Sequence, residues 1–514
     1  MIFSLVELIL VITIYCISNT NLSNYSVSIL LFYLFLTNTT TTNIMKLSGK
    51  IKFLYGLGFS AQGIKDALFQ LFLFFYFSQI LGLSATYTGL ATVIALLFDA
   101  LSDPWIGTLS DRWKSKVLGR RHPFMYLSAL PLGLFLYILF SPPAGLGELD
   151  LFLWLTTFSV LVRFALTLFI VPSMSLGAEL TDDYDERTTV TSYRVMFSSF
   201  IGPIILIFGL VFFFTPTTEN ANGLFNEAAY STFALLCGIL AAMSILISTY
   251  GTQSTIPSLP KSTDTEAEKG LDAILKNIKA ALQLNAYTSL VKYSMTIYTG
   301  LGVGTVLTTY FTTYYFELSE KELAGLPIAA AVGGITALFV APLMGRLFDK
   351  KKSVIISSVG LGIFFCLPFL LRLFDLFPEN NSPNLLPFYL LTLWIAYTFL
   401  WVSISTTNSM MAEVADQFES LYNKRNEGFF FSTMSFAYKC TVGMGYFVGG
   451  LLLDAIQFPT KATDISSIDP SAIHGLGLIG GPILLVFYLF SIVFIFNYPI
   501  DKAAYLTIKN KIQN

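Results

Sequence analysis

Charge, histidine and cysteine are all scarce in this sequence. Only 12% of its 514 residues are charged, against about 25% in a soluble domain. With 54% hydrophobic residues and a mean hydropathy of +0.68, the chain reads as an all-α membrane protein. Two histidines, His122 and His474, are too few for a histidine-built metal centre. The four cysteines, Cys16, Cys237, Cys366 and Cys440, include no CxxC pair and lie in or near apolar runs, which argues against a disulfide framework or a zinc site. No nucleophile–base pair, metal cluster or glycine-rich phosphate loop stands out, so neither an enzyme nor a bound cofactor is expected. The net charge of −2 says little about partners, because charge here is sorted by loop.

What the sequence does have is long apolar runs. Twelve are of spanning length: 53–80, 86–109, 124–140, 150–176, 195–215, 230–250, 288–316, 324–345, 353–373, 385–411, 429–453 and 476–498. The expected domains are an N-terminal six-helix half at 53–250, a linker at 251–287, a C-terminal half at 288–498 and a tail at 499–514. The linker contains Pro257, Pro260 and the charged stretch TDTEAEKGLDAILKNIKA, which predicts one amphipathic helix. Of the 30 basic residues, the loops on one side hold only Lys321, Arg372 and Lys461, while Lys65, Arg163 and Lys439 fall inside spans. The rest lie on the other side, which places both ends of the twelve-helix unit and the linker in the cytoplasm. The first 44 residues make a poor signal peptide, having Glu7 where a basic start belongs. Either Met45 is the true start, or 1–44 is a peripheral extension with one or two extra helices.

The chain repeats itself. DPWIGTLSDRWK at 103–114 aligns with APLMGRLFDKKK at 341–352, and AELTDDYD at 178–185 aligns with AEVADQFE at 412–419. Both pairs fall at the same ends of corresponding spans, which implies two parallel six-helix repeats, the pattern of the major facilitator fold. The recurring G-x-L-x-D-[RK] assigns Gly107, Asp111, Arg112, Gly345 and Asp349 to gating. An aspartate at a helix end can sit against a neighbouring helix N-terminus and hold the halves in one state. For Lys114, Lys116, Arg120 and Arg121 the basic-loop topology is sufficient explanation.

Asp99 and Asp103 stand four residues apart on one helix face. Their repeat partners are Ala337 and Ala341, so the fold itself does not require acids there. Each costs about 2.5–3.5 kcal/mol at a helix centre, a cost that some local function must offset. Two close carboxylates resist simultaneous ionisation, so they hold a proton or attract a cation; Na⁺ and H⁺ both suit oxygen ligands. Lys65, Asp66, Arg163 and Lys439 are the other intramembrane charges, and such groups are functional candidates by default. In the competing reading Asp103 tethers Arg163, or the acids only pair with the buried cations to hold helices together. For Lys65, snorkelling to a surface competes with a role in the site.

Four stretches carry a resemblance: GIKDALFQLFLFFYFSQILGLS (63–84), FDALSDPWIGTLSDRWKSKVLGRRHPFMY (98–126), VPSMSLGAELTDDYDERTTVTSYR (171–194) and SFAYKCTVGMGYFVGG (435–450). Through them the chain resembles the glycoside–pentoside–hexuronide:cation symporters, the melibiose-permease-like family of the major facilitator superfamily, over about 53–500. The resemblance implies a coupling cation, Na⁺ or H⁺, at Asp99 and Asp103 with help from Thr167. It also implies a sugar contact at Asp66, a helix-five arginine at Arg194 and a lysine near the cation site at Lys439. The chain departs from melibiose permease at Ile170, where a helix-four acid is expected, and at Leu96, where a helix-two arginine is expected. Arg163 takes over some of that positive charge. Trp401, Tyr310 and Tyr314 are candidate aromatic platforms for a sugar, and Pro172 bends the helix that carries Thr167. The expectation is therefore a cation-coupled symporter of a sugar or glycoside, monomeric in a bacterial inner membrane. Its partners are the solute and lipid, with no nucleic acid. A lipid-like or amino-acid-like cargo, or a non-transporting membrane sensor, is the alternative.

Overall fold

The computed structural model describes residues 47–113, 115, 117–181, 183–217, 222–259, 279–422, 427–462 and 465–513. The N-terminal extension and most of the amphipathic helix expected in the linker lie outside them, as do Lys114 and Lys116. Twelve helical spans follow in order, and no strand occurs among the described residues. They are α1 (49–80), α2 (Ala85–Arg112), α3 (His122–Leu139), α4 (Glu148–Glu179), α5 (Tyr184–Phe212), α6 (Glu227–Thr252), α7 (285–315), α8 (Gly325–Leu347), α9 (Lys350–Leu373), α10 (Leu385–Tyr422), α11 (Glu427–Ala455) and α12 (470–495). A short α13 (Lys502–Gln513) folds from the tail and docks on α10. Ten of the spans are long and apolar enough to cross a membrane on that criterion alone. The other two, α1 and α7, are more polar: α1 carries Lys65 and Asp66, and α7 is rich in threonine, glycine and tyrosine.

Local chemistry sets several helix starts. Ser84 caps α2 by accepting from Tyr87 N at 3.3 Å, Asp183 caps α5 by accepting from Glu186 N at 2.8 Å, and Asp349 caps α9 by accepting from Lys350 N at 2.8 Å. Asp469 caps α12, with Pro470 in the first turn where its missing N–H costs nothing. Wider π-helical turns interrupt α1 at Leu68–Leu73 and Tyr76–Ile80, α7 at Phe311–Tyr315 and α12 at Ile479–Ile483. Hydropathy periodicity does not announce them; such turns are common at functional positions.

The two halves meet most extensively along α2 and α11. There the backbones come so close that a Cβ on Gly450 would lie 2.3 Å from the Ala85 carbonyl oxygen, the kind of approach small residues permit between membrane helices. Hydrogen bonds that join the halves gather at the face opposite the basic loops. Gln79, at the end of α1, is buried and uses its whole amide. It donates to Tyr310 Oη at 3.2 Å and to the Pro459 carbonyl at 3.1 Å. It accepts from Tyr314 Oη at 3.0 Å and from Ala462 N at 3.2 Å. Asp454 accepts from Thr86 N at 3.0 Å, Thr309 Oγ1 donates to the Leu71 carbonyl at 3.0 Å, and Glu320 accepts from Gly223 N. Phe75, Phe225 and Phe458 pack around Tyr310 and Tyr314. This far face is sealed. The α5 and α8 helices touch sparsely, and toward the basic end of α5 Arg187, Thr191, Val195 and Phe200 line a cavity of about 610 Å³.

Gln79→Leu removes the shared partner of the Tyr310 and Tyr314 hydroxyls, the Pro459 carbonyl and the Ala462 N–H, of which the Tyr314 hydroxyl keeps a bond to the Ala462 carbonyl at 3.0 Å. Each buried group left unsatisfied costs about 1–3 kcal/mol. The variant is expected to unfold at lower temperature. A cysteine placed at Thr309 should then react faster with a maleimide added from the far side than it does in the wild-type background.

Candidate functional site

Asp99 and Asp103 sit midway along α2 and face α4 and α11. Pro104 follows directly; it has no N–H for the carbonyl four residues back and so loosens the helix beside the acids. From α4, Thr167 Oγ1 lies 3.1 Å from Asp99 Oδ1 and 3.0 Å from Asp103 Oδ1, so one hydroxyl gathers an oxygen from each acid. From α11, in the other half, Lys439 Nζ lies 2.5 Å from Asp103 Oδ2 and 3.0 Å from Asp99 Oδ2. The two remaining carboxylate oxygens therefore converge on one ammonium. Asp103 pairs with Lys439 and not with Arg163, so of the competing reading's two forms the Asp103–Arg163 tether is absent and the pairing of the acids with buried cations is present. Arg163 instead approaches Asp99, with NH1 at 3.7 Å from Oδ2.

Asp66 is ion-paired with its neighbour Lys65 on α1. Lys65 is buried, so snorkelling to a surface does not describe it. Phe69, one turn on, makes a cation–π contact with both Lys65 (5.6 Å to the ring centre) and Arg163 (5.1 Å). Ala337 and Ala341, the repeat partners of the acids, pack with Met344 and Val402 in an apolar cluster of the second half. The acids thus stand on one half, and among the described residues Lys439 is the residue of the other half that is ion-paired with them.

Other expected residues stand elsewhere. Arg194 lies over the Phe59 ring at 5.9 Å, away from the acids. Tyr310 is fully buried in the far-face seal with its hydroxyl bonded to Gln79, and Tyr314 is its neighbour there. In this state neither offers a ring face to a solute, which corrects their assignment as platforms. Trp401 is half-exposed on α10 beside Gly334 of α8 and makes no contact with the acid pair.

The gating residues are arranged within each half. Asp111 Oδ1 pairs with Arg121 NH1 at 2.6 Å, and Glu179, at the end of α4, receives NH2 of both Arg120 and Arg121 at 2.7 Å. The second half repeats the scheme: Lys350 Nζ reaches Glu413 Oε1 at 2.5 Å, and Tyr498 Oη donates to Glu413 Oε2 at 3.0 Å. Burial and the Glu413 carboxylate push the Tyr498 hydroxyl well above its ordinary pKa. Arg120 and Arg121 are therefore structural partners and not merely topological charge. Asp349 caps its own helix, Arg112 is exposed, and a Cβ on Gly107 or Gly345 would meet no tight contact. None of the five joins the halves in this arrangement. Sequence reasoning overlooked Glu179 and Glu413, although both occupy the second position of the repeated AE motif.

The sequence pattern of the family described as "MFS/sugar transport protein" matches residues 54–502. A protein of Synechocystis sp. named an uncharacterized symporter is 22% identical over 545 residues, covering 91% of this chain and 97% of its own. The isoprimeverose transporter of Lactiplantibacillus pentosus is 21% identical, covering 79% of this chain and 80% of its own. The crystal structure of a D-xylose–proton symporter has the same fold, with a TM-score of 0.57 at 14% identity, covering 85% of this chain and 96% of that one.

Glu179→Gln removes the carboxylate from two guanidinium groups that are mostly buried. Breaking such a partnership is expected to cost about 3 kcal/mol, read as a lowered Tm in detergent. Removing Arg112, which is exposed, should leave Tm unchanged.

Proposed function

The chain belongs to the MFS/sugar transport protein family, and on that premise we propose that it is a secondary symporter driving a sugar or glycoside with a cation. It is a multi-pass membrane protein of a transporter family, not an enzyme. The observation that carries the reading is the acid pair of α2, held by Thr167 on one side and by Lys439 of the opposite half on the other.

In this reading the coupling ion, Na⁺ or H⁺, binds at Asp99 and Asp103 with Thr167 as neutral ligand or hydrogen-bond partner. Lys439 is the internal cation that occupies the acids when the ion is absent. Arrival of the ion weakens the hold of α11 on α2 and frees the ammonium for the solute, which binds between the halves near Asp66 and Arg163. The far-face seal then opens as the basic side closes. Coupling is the difference in affinity of the two ligands for the two states. The basic side is the cytoplasmic one by the sorting of lysine and arginine, which makes the present arrangement inward-open. The membrane is a bacterial inner membrane.

The test is thermal unfolding of the purified full-length chain against a sugar panel, with and without Na⁺, at two pH values. A ligand that binds only the folded state raises Tm with its concentration. The expected result is a sugar-dependent rise that grows with Na⁺ or with protons, and an Asp103→Asn variant in which the ion-dependent part is gone. A folded sample that no sugar or ion shifts contradicts the reading.

A further inference from the structure

We infer that the transported solute carries an anionic group, a carboxylate or phosphate, and that Arg163 receives it. This deepens the symporter reading and rests on it.

The first observation is an unused guanidinium. Arg163 is 8% exposed, yet its nearest acid oxygen is Asp99 Oδ2 at 3.7 Å, too far for a hydrogen bond. Its Nε is buried with no partner, and among the described residues its guanidinium makes no hydrogen bond. Buried polar groups are normally paired, and buried charges more strictly so. The other two cations of the cluster obey that rule: Lys65 is on Asp66, and Lys439 is on both Asp99 and Asp103. Arg163 instead rests on the Phe69 ring, which steadies it and leaves its fork of donors unfilled. A planar fork matches a carboxylate or phosphate better than it matches scattered hydroxyls.

The second observation is the charge count. Lys65, Arg163 and Lys439 stand against Asp66, Asp99 and Asp103, so the cluster is neutral as it is. A sodium ion or a proton on the acid pair makes it +1. When the halves close over the site and water leaves, that surplus sits in a low dielectric, where an unbalanced charge is costly. A neutral solute leaves the surplus in place. An oxyanion between Arg163 and the released Lys439 removes it. Ion and solute then each need the other, and coupling follows from charge balance with no further device.

The test compares matched ligands on the purified full-length chain, by calorimetric titration at saturating Na⁺ and again at low pH without Na⁺. The probes are methyl β-D-glucuronide, its neutral twin methyl β-D-glucoside, glucose 6-phosphate and a short-chain lysophosphatidate. The expected result is an anionic ligand bound at least about tenfold more tightly than the neutral twin, a gap of about 1.4 kcal/mol. The preference should vanish when the coupling ion is withdrawn. It should also shrink in Arg163→Gln and return in part in Arg163→Lys, which keeps the charge and loses the fork. Loss of Arg163 also strips Asp99 of a nearby cation and can compromise folding, so the wild-type comparison decides by itself. Preference for the glucuronide or the sugar phosphate supports the inference with a soluble cargo, and preference for lysophosphatidate alone supports it with a lipid headgroup as the source. Ion-dependent binding of the glucoside as tight as that of the glucuronide overturns the inference and leaves the symporter reading standing. Absence of any ion-dependent binding overturns both.

Discussion

One ammonium holds the arrangement together. Lys439 is the point at which α11 enters the site of the other half, and both carboxylates of α2 close on it. A buried ion group of this kind adds little net stability compared with well-packed apolar residues, because its desolvation offsets its attraction. Its worth, in the proposed mechanism, lies in being exchangeable: a cation that took its place on Asp99 and Asp103 would also cut a bond between the halves, and binding would then be coupled to their movement.

Around that point the structure separates two kinds of contact. Those joining the halves at the far face are side chains accepting from or donating to backbone groups and tyrosine hydroxyls, with Gln79 at their centre. Those at the basic side join elements of one half only: Arg120 and Arg121 with Glu179, Arg121 with Asp111, and Lys350 and Tyr498 with Glu413. Rigid halves and a separable seam are what rocking about a central site requires. Two of the π-helical turns fall on the seam, at Tyr76–Ile80 and Phe311–Tyr315, which carry Gln79 and Tyr314.

The spans were legible in hydropathy, and the acid pair in its own oddity, since the repeat puts alanine at both equivalent positions. Thr167 and Lys439 followed from family resemblance, and the geometry brings both to the acids. Gln79 was not legible. Its partners are at 310, 314, 459 and 462, and nothing local distinguishes a glutamine near a helix end from a solvated one. Tyr310 was misread for the same reason: a tyrosine pattern does not reveal whether a ring faces a cavity or a seal. The charge of Arg163 was visible, but its lack of a partner is a three-dimensional fact. The paired glutamates Glu179 and Glu413 recur in the repeat, but their cationic partners at 120, 121 and 350 lie 58 to 63 residues away, and a glutamate near a helix end looks solvated until they are placed in space.

The central claim, that Lys439 competes with the coupling ion, is tested most directly by Na⁺ titration of Lys439→Met in the full-length protein, followed by calorimetry without solute. Removing the ammonium takes away the cation that both carboxylates share and leaves Arg163, at 3.7 Å from Asp99, as the nearest remaining one. The account predicts Na⁺ affinity at least about tenfold above wild type, with no further gain when solute is added. Sodium affinity that is unchanged or weaker in a folded Lys439→Met protein would contradict it.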